Sequence, residues 1–269
     1  MSKWRPSGVI TITTDFGHKG PFAAVMTGII IGRYRDANVI DLAHDIPAHW
    51  PPEAGFWLSR SYMYFPKGTV HIAIVDPGVG TEREILLVEK DGHLFMAPDN
   101  GLLAPILEGA ERICTLRHDG LTGFGVDAPS LTFHGRDIFA PLAAELAAGR
   151  ISIDTIGIDT TDWTPGWLDE PELQTGRVSG IIVTIDAFGN LITNIDRSLV
   201  EGFENPVVEV AGHRIEMRAT YGRVDPGEYL ALVNSFGVLE IARAEDSAAR
   251  GLSCDRGAPV VVLESSAKT

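Results

Sequence analysis

The texture of the chain changes once, around Thr160 to Thr175, and that change constrains the architecture more than any other feature. Before it, short apolar runs rich in β-branched residues (Val9 to Thr13, Val39 to Ala43, Thr69 to Val75) alternate with stretches of helical spacing (Phe22 to Tyr34, Pro52 to Tyr64). Alternating strands and helices require crossover connections, so this half is predicted to form a mostly parallel sheet covered on both faces. Ile85 to Glu89 and His93 to Ala97 read as a hairpin around Asp91-Gly92. A short helix from Leu102 follows, then another over Asp137 to Ala148 with Pro141 in its first turn. Past the change, Gly176 to Asp186, Leu191 to Ile195, Val207 to Val210, His213 to Met217, Tyr229 to Val233, Val238 to Ala242 and Pro259 to Glu264 are short β-type runs separated by Gly, Asn and Asp, the pattern of a small all-β domain. The expectation is an α/β N-terminal domain over residues 1–162, a linker over 163–175 carrying Pro165, Gly166 and Pro171, and a β-barrel-like domain over 176–269.

The net charge of −14 argues against a non-specific nucleic-acid binder, which needs a basic surface to displace counterions from phosphate. No apolar segment approaches the roughly 20 residues of a membrane span, and Met1 to Pro6 leads into the first strand without a signal-peptide hydrophobic region. The two cysteines, Cys114 and Cys254, form no CxxC and suggest neither a disulfide framework nor a thiolate metal site; a reducing cytoplasm is the simplest home.

Polar clusters sit where apolar runs end, which is where α/β folds keep their chemistry. Thr14-Asp15-Phe16-Gly17 closes the first run; Asp15 there either caps the next helix or accepts hydrogen bonds from ligand hydroxyls. Asp76-Pro77-Gly78-Val79-Gly80 ends a strand in a carboxylate and turns through two glycines, with Arg83 beyond; it lacks the Lys and Ser/Thr of a phosphate loop and the G-x-G-x-x-G pattern. The plain alternative is a tight turn with Arg83 as a surface charge. Phe133-His134-Gly135-Arg136-Asp137 places imidazole, guanidinium and carboxylate together, either as a site or as a satisfied core histidine beside an Arg136–Asp137 ion pair. His44, His49, His71 and His93 read as structural or exposed, with no metal-ligand spacing. Asp99-Asn100-Gly101 is a turn signal first and a site second. Asp186-Ala187-Phe188-Gly189-Asn190 and Asn234-Ser235-Phe236-Gly237 are hairpin turns, or else a stacking face with amides suited to a purine. The first three clusters together describe a site that positions water against a small polar ligand.

Thr-Asp-Phe-Gly at 14–17, Val-Asp-Pro-Gly-Val-Gly at 75–80, Ala-Pro-Asp-Asn-Gly at 97–101, Phe-His-Gly-Arg-Asp at 133–137, Phe-Gly-Asn at 188–190 and Asn-Ser-Phe-Gly at 234–237, in this order, resemble the S-adenosyl-L-methionine hydrolase (adenosine-forming) family, relatives of the fluorinase and chlorinase enzymes. The resemblance implies a homotrimer with sites between one subunit's N-terminal domain and a neighbour's C-terminal domain. It implies water-handling roles for Asp76, Arg83 and His134, a ribose contact for Asp15, an adenine contact for Asn190, and methionine or adenosine contacts for Asp186, Ser235, Phe236 and Glu240. No cofactor or metal is implied, because sulfonium is already a good leaving group. A halogenase is the alternative, disfavoured because a carboxylate at Asp76 repels an anion; a non-catalytic adenosine or S-adenosylmethionine sensor is another.

Overall fold

The computed structural model describes residues 4–117, 119 and 121–265. The N-terminal Met1 to Lys3 of the leader reading and the last four residues of the predicted second domain lie outside the described residues. The chain divides into two compact units, residues 1–167 and 168–269.

The first unit runs β1 (Val9–Thr14), α1 (Phe22–Arg33), β2 (Asn38–Ala43), α2 (Pro51–Ser61), β3 (Val70–Ile74), β4 (Ile85–Lys90), β5 (His93–Pro98), α3 (Ala104–Leu107), β6 (Arg112–Leu116), α4 (Ala140–Ala147), α5 (Ile153–Ile156) and β7 (Gly157–Asp159). Its sheet has the order β2-β1-β3-β5-β4-β6-β7. The ladders β1/β2, β1/β3 and β3/β5 are parallel. The other three are antiparallel, so the parallel character is confined to one half of the sheet. The period of two in a strand explains how both faces are used. On β1, Ile10 and Ile12 join Met26 and Ile30 of α1 and Leu142 and Leu146 of α4 in one buried cluster. On β3 and β5, Ala73 and Phe95 face Ala54 and Leu58 of α2 in another.

Three local readings are corrected. The helix expected from Asp137 begins earlier, as a π-helical turn over Gly135–Phe139, in which the Ala140 N–H reaches back to the Gly135 carbonyl, and becomes α-helical only at Ala140. A wide turn of this kind carries no 3.6-residue signature, and such turns favour functional sites. The helix expected over Pro52 to Tyr64 closes at Ser61 and tightens into a 3-10 turn over Tyr62–Tyr64. The segment expected as a linker is partly structured: Thr164 N donates to Asp99 Oδ1 at 2.8 Å, Trp167 Nε1 donates to the Asn100 carbonyl at 2.6 Å, and Glu172–Gln174 forms a strand.

The second unit contains β8 (Glu172–Gln174), β9 (Arg177–Ile185), β10 (Leu191–Asp196), α6 (Arg197–Val200), β11 (Val207–Val210), β12 (His213–Glu216), β13 (Tyr229–Val233), β14 (Val238–Arg243), α7 (Ala248–Leu252) and β15 (Pro259–Leu263). The antiparallel path β12-β11-β15-β9-β10-β14-β13 nearly closes on itself, because Met217 bridges to Ala231 and the Arg218 N–H donates to the Ala231 carbonyl at 2.7 Å. Closure removes the exposed edges that an open sheet would leave. Leu239 and Ile241 point into the barrel core with Val208 and Val260. Ala242, on the alternate face of β14, packs outside with Leu230, Leu232 and Val224.

Candidate active site

Parallel register decides what stands beside what at the carboxyl end of the first sheet. Thr14 pairs with Ile74, so the chains leaving β1 and β3 carry Asp15 and Asp76 to the same edge. The neighbouring β5 ends at Pro98, and the Asn100 side chain donates to the Val75 carbonyl at 2.8 Å, tying down the peptide next to Asp76. Ligands bind outside the carboxyl ends of parallel strands in such sheets.

Asp76, Arg83 and His134 meet there. Arg83 Nε lies 3.0 and 2.9 Å from the two carboxylate oxygens of Asp76, and Arg83 Nη2 also donates to Asp76 Oδ2. The same Nη2 is 3.1 Å from His134 Nδ1. The pair is largely desolvated, with Arg83 11% and Asp76 4% exposed, so the charges interact with little screening by water. Burial, and then the positive charge of Arg83, hold the His134 imidazolium below its ordinary range.

The glycines explain why the turn approaches His134. Gly80 has φ +80°, and a Cβ there would stand 2.1 Å from the Leu131 carbonyl oxygen; only glycine lets the loop press against the strand of chain that leads into His134. Thr81 Oγ1 donates to the Gly78 carbonyl at 2.7 Å and closes the turn.

Other predicted residues find different surroundings. Asp15 does not cap α1, which begins after Pro21 without a side-chain cap; its Oδ2 accepts from the His49 N–H at 3.1 Å. Arg136 pairs with Asp137 at 2.6 Å, and Asp137 Oδ2 also accepts from Ser130 N. Phe133 contacts Phe16 and Phe22 edge-on, with centroids 5.9 and 5.4 Å away. His44 is buried and meets Thr14 Oγ1 at 2.8 Å.

In the second unit, Asp186 and Asn190 hold each other. Asp186 Oδ1 accepts from the Phe188 and Asn190 N–H groups, and Oδ2 accepts from Asn190 Nδ2, each at 2.9 Å. Phe188 between them is 80% exposed, an aromatic face at the tip of the turn. Glu240 lies on the outer face of β14, buried beneath Tyr221, whose hydroxyl donates to it at 2.6 Å, and it accepts from Asn234 Nδ2 at 3.1 Å. Burial pushes the Glu240 carboxyl up. Ser235 is exposed in the 234–237 turn, and the Phe236 N–H donates to Asn234 Oδ1. Asn100 stands in a segment read as a turn first and a site second, and its side chain holds the Val75 carbonyl. Tyr221 is a polar partner that sequence reading did not single out, since it meets Glu240 across 19 residues with no local signal.

Among the described residues, no group of three or more His, Cys, Asp or Glu is arranged to hold a metal ion, and no helix is long and apolar enough to cross a membrane. The arrangement can fix a small polar molecule between a neutralised carboxylate and a largely neutral imidazole.

An α/β unit with charged groups at its strand ends, followed by a nearly closed antiparallel barrel, defines the class of protein. Family models sharpen it: the SAM hydroxide adenosyltransferase N-terminal domain matches residues 10–157 and the corresponding C-terminal domain residues 180–261. The chain belongs to the SAM hydroxide adenosyltransferase family. It is 37% identical over 259 residues to a protein of Thermus thermophilus named (R)-S-adenosyl-L-methionine hydrolase, covering 93% of this chain and 97% of that one. It is 34% identical to a protein of the same name from Salinispora tropica, covering 88% and 90%. The crystal structure of a conserved protein from Thermotoga maritima superposes with a TM-score of 0.87 at 31% identity, covering 94% of this chain and 99% of that one.

Proposed function

We propose that this protein hydrolyses S-adenosyl-L-methionine to adenosine and L-methionine. The observation that carries the reading is the Asp76–Arg83–His134 cluster at the carboxyl ends of β1 and β3, in a chain of this family. Water oxygen bonds to C5′ as the C5′–S bond breaks, the bonding pair returns to sulfur, and neutral methionine leaves; one water proton is released. Sulfonium needs no protonation to depart. The protein's task is alignment of a weak nucleophile, and orientation can contribute about 7–11 kcal/mol in favourable intramolecular cases. Asp15 serves the ribose and Asn190 the adenine, with Asp186, Ser235, Phe236 and Glu240 on the remaining adenosine and methionine groups.

Further parts of the reading are also proposals. The reaction uses no metal or cofactor. The protein works in the cytoplasm, consistent with two unpaired cysteines. The active unit is a homotrimer whose sites are shared between subunits, supported by the division of ligand-type residues between the first unit (Asp15, Asp76, His134) and the second (Asp186, Asn190, Ser235). Incubation with S-adenosylmethionine, with and without chloride or fluoride, followed by chromatography, tests the central claim. Adenosine and methionine are expected in both arms and in EDTA; 5′-halo-adenosine as the main product, or no turnover, defeats it. Mixing inactive Asp76→Ala and Asn190→Ala proteins under subunit exchange restores activity only if the site is shared.

A further inference from the structure

Resting on that reading, hydrogen-bond chemistry decides whether His134 takes the proton of the nucleophilic water. A guanidinium has five donors and no acceptor. The 3.1 Å contact between Arg83 Nη2 and His134 Nδ1 is therefore a hydrogen bond only if Nδ1 carries no proton and accepts. A neutral imidazole has one N–H, so its proton is then on Nε2. Arg83 cannot turn away to permit the other tautomer, because its Nε and Nη2 are held by both oxygens of Asp76. Asp76 thus orients Arg83, and Arg83 selects the tautomer of His134. This is the logic by which a second partner fixes which imidazole nitrogen is free for chemistry.

We propose that His134 presents an Nε2–H donor to the nucleophilic water and does not take its proton, with Arg83 acting as the positioning residue that enforces this. The donated hydrogen bond occupies one lone pair of the water oxygen and leaves the other to form the bond to C5′. The oxonium formed on C5′ is a strong acid and gives its proton to solvent, because both Asp76 oxygens are already held by Arg83. Sulfur gains the C5′–S pair and the sulfonium charge leaves as that proton, so charge balances without another reagent. Burial and the charge of Arg83, which hold the imidazolium below its usual range, act in the same direction by keeping the ring neutral at pH 7.

The deciding measurement is a long-range 1H–15N NMR spectrum of the wild-type protein labelled with 15N-histidine, the His134 signals assigned by their loss in His134→Gln. A protonated Nε2 with unprotonated Nδ1 at pH 7 is expected; an unprotonated Nε2 overturns the proposal. The kinetic arm compares His134→Gln, whose amide N–H2 can replace the donor, with His134→Leu. The Gln variant is expected to keep kcat within about tenfold of wild type while Leu loses about a hundredfold, because a lost general base typically costs 10²–10⁴-fold whatever donor replaces it. Equal effects of Gln and Leu, at any level, overturn the proposal. Where circular dichroism shows that the Gln variant does not fold as wild type, His134→Leu supplies the assignment and the wild-type spectrum decides. Failure of the wild-type protein to release adenosine from S-adenosylmethionine would instead defeat the proposed function and leave the tautomer result standing.

Discussion

His71 and Asp76 lie five residues apart along β3 and the turn that follows it, and they lead into two very different polar clusters. His71 accepts or donates at 2.7 Å to Thr11 Oγ1, meets His93 at 3.2 Å, and stacks on Phe95 with centroids 4.9 Å apart. That cluster is sealed: His71, His93 and Phe95 are all buried, and burial, with His93 adding to it, pushes the His71 pKa down to about 3. The other cluster holds an ion pair beside an imidazole past the carboxyl ends of parallel strands, where ligands bind in such sheets. A buried histidine therefore says little by itself. What separates the two is a charge that must be paired and a position past the carboxyl end of a strand.

Breaking the ion pair is the strongest test of that contrast. Arg83→Met leaves the Asp76 carboxylate desolvated and alone, which is expected to cost about 3–5 kcal/mol of stability in denaturant unfolding. It is also expected to lower turnover of S-adenosylmethionine by about 10²–10³-fold, the effect of losing one preorganised donor. The double variant Asp76→Leu/Arg83→Met should unfold less easily than the sum of the two single losses implies, because neither charge is then stranded. Simple additivity would show that the two side chains are not coupled.

Next in size is Gly80→Ala, which changes no charged group. A methyl facing the Leu131 carbonyl at 2.1 Å, on a backbone with φ +80°, forces the turn away from the segment that carries His134. The expected cost is about 1–3 kcal/mol in stability. Turnover should fall about 10²-fold, as a displacement near 1 Å can cost. Wild-type turnover in this variant would mean that the close approach of the turn to Leu131 does not set the geometry of the cluster.

The sealed cluster should answer to pH and not to substrate. His71 in the folded protein binds a proton only near pH 3, whereas in the unfolded chain it does so near 6.5, so between these values the unfolded state holds more protons. The stability from the neutral ring is complete above about 6.5 and is lost as pH falls toward 3, with a slope of about 1.4 kcal/mol per pH unit for one such group. Unfolding at pH 5 should therefore be easier than at pH 7 by about 2 kcal/mol. The burial-lowered His93 and His134 add in the same sense. His71→Phe should flatten this limb while leaving KM unchanged; parallel limbs in variant and wild type would remove His71 as its source.

Legibility in the sequence followed the range of the interactions. Strands such as β3 and β14 declare themselves by composition and turns, and both lie within a residue of their expected bounds. β6 and β7 did not: Arg112–Leu116 alternates only weakly, and Gly157–Asp159 is three residues long, becoming a strand through its pairing with β6 at Cys114 and Thr115. The candidate site divides the same way. That Asp76 ends a strand in a glycine turn is local information. The contact of Arg83 with His134 spans 51 residues and that of Tyr221 with Glu240 spans 19, so neither has a period or a spacing to read; only the ordered set of motifs hinted at the first, and nothing at the second.

The smallest expected effect separates two charges within one motif. His134 and Arg136 stand two residues apart in Phe-His-Gly-Arg-Asp, and by sequence either could serve a ligand. His134 is buried against Arg83, whereas Arg136 is 42% exposed, pairs with the adjacent Asp137 and lies over the Phe133 ring at 5.4 Å. An ion pair so exposed gains little over water, and its attraction is screened by salt. Arg136→Gln should therefore change kcat and KM by less than about twofold, with no dependence on ionic strength beyond that of wild type. A loss approaching that of Arg83→Met would place the working guanidinium at 136 instead of 83, and the distinction drawn from burial and strand position would fail at its most local point.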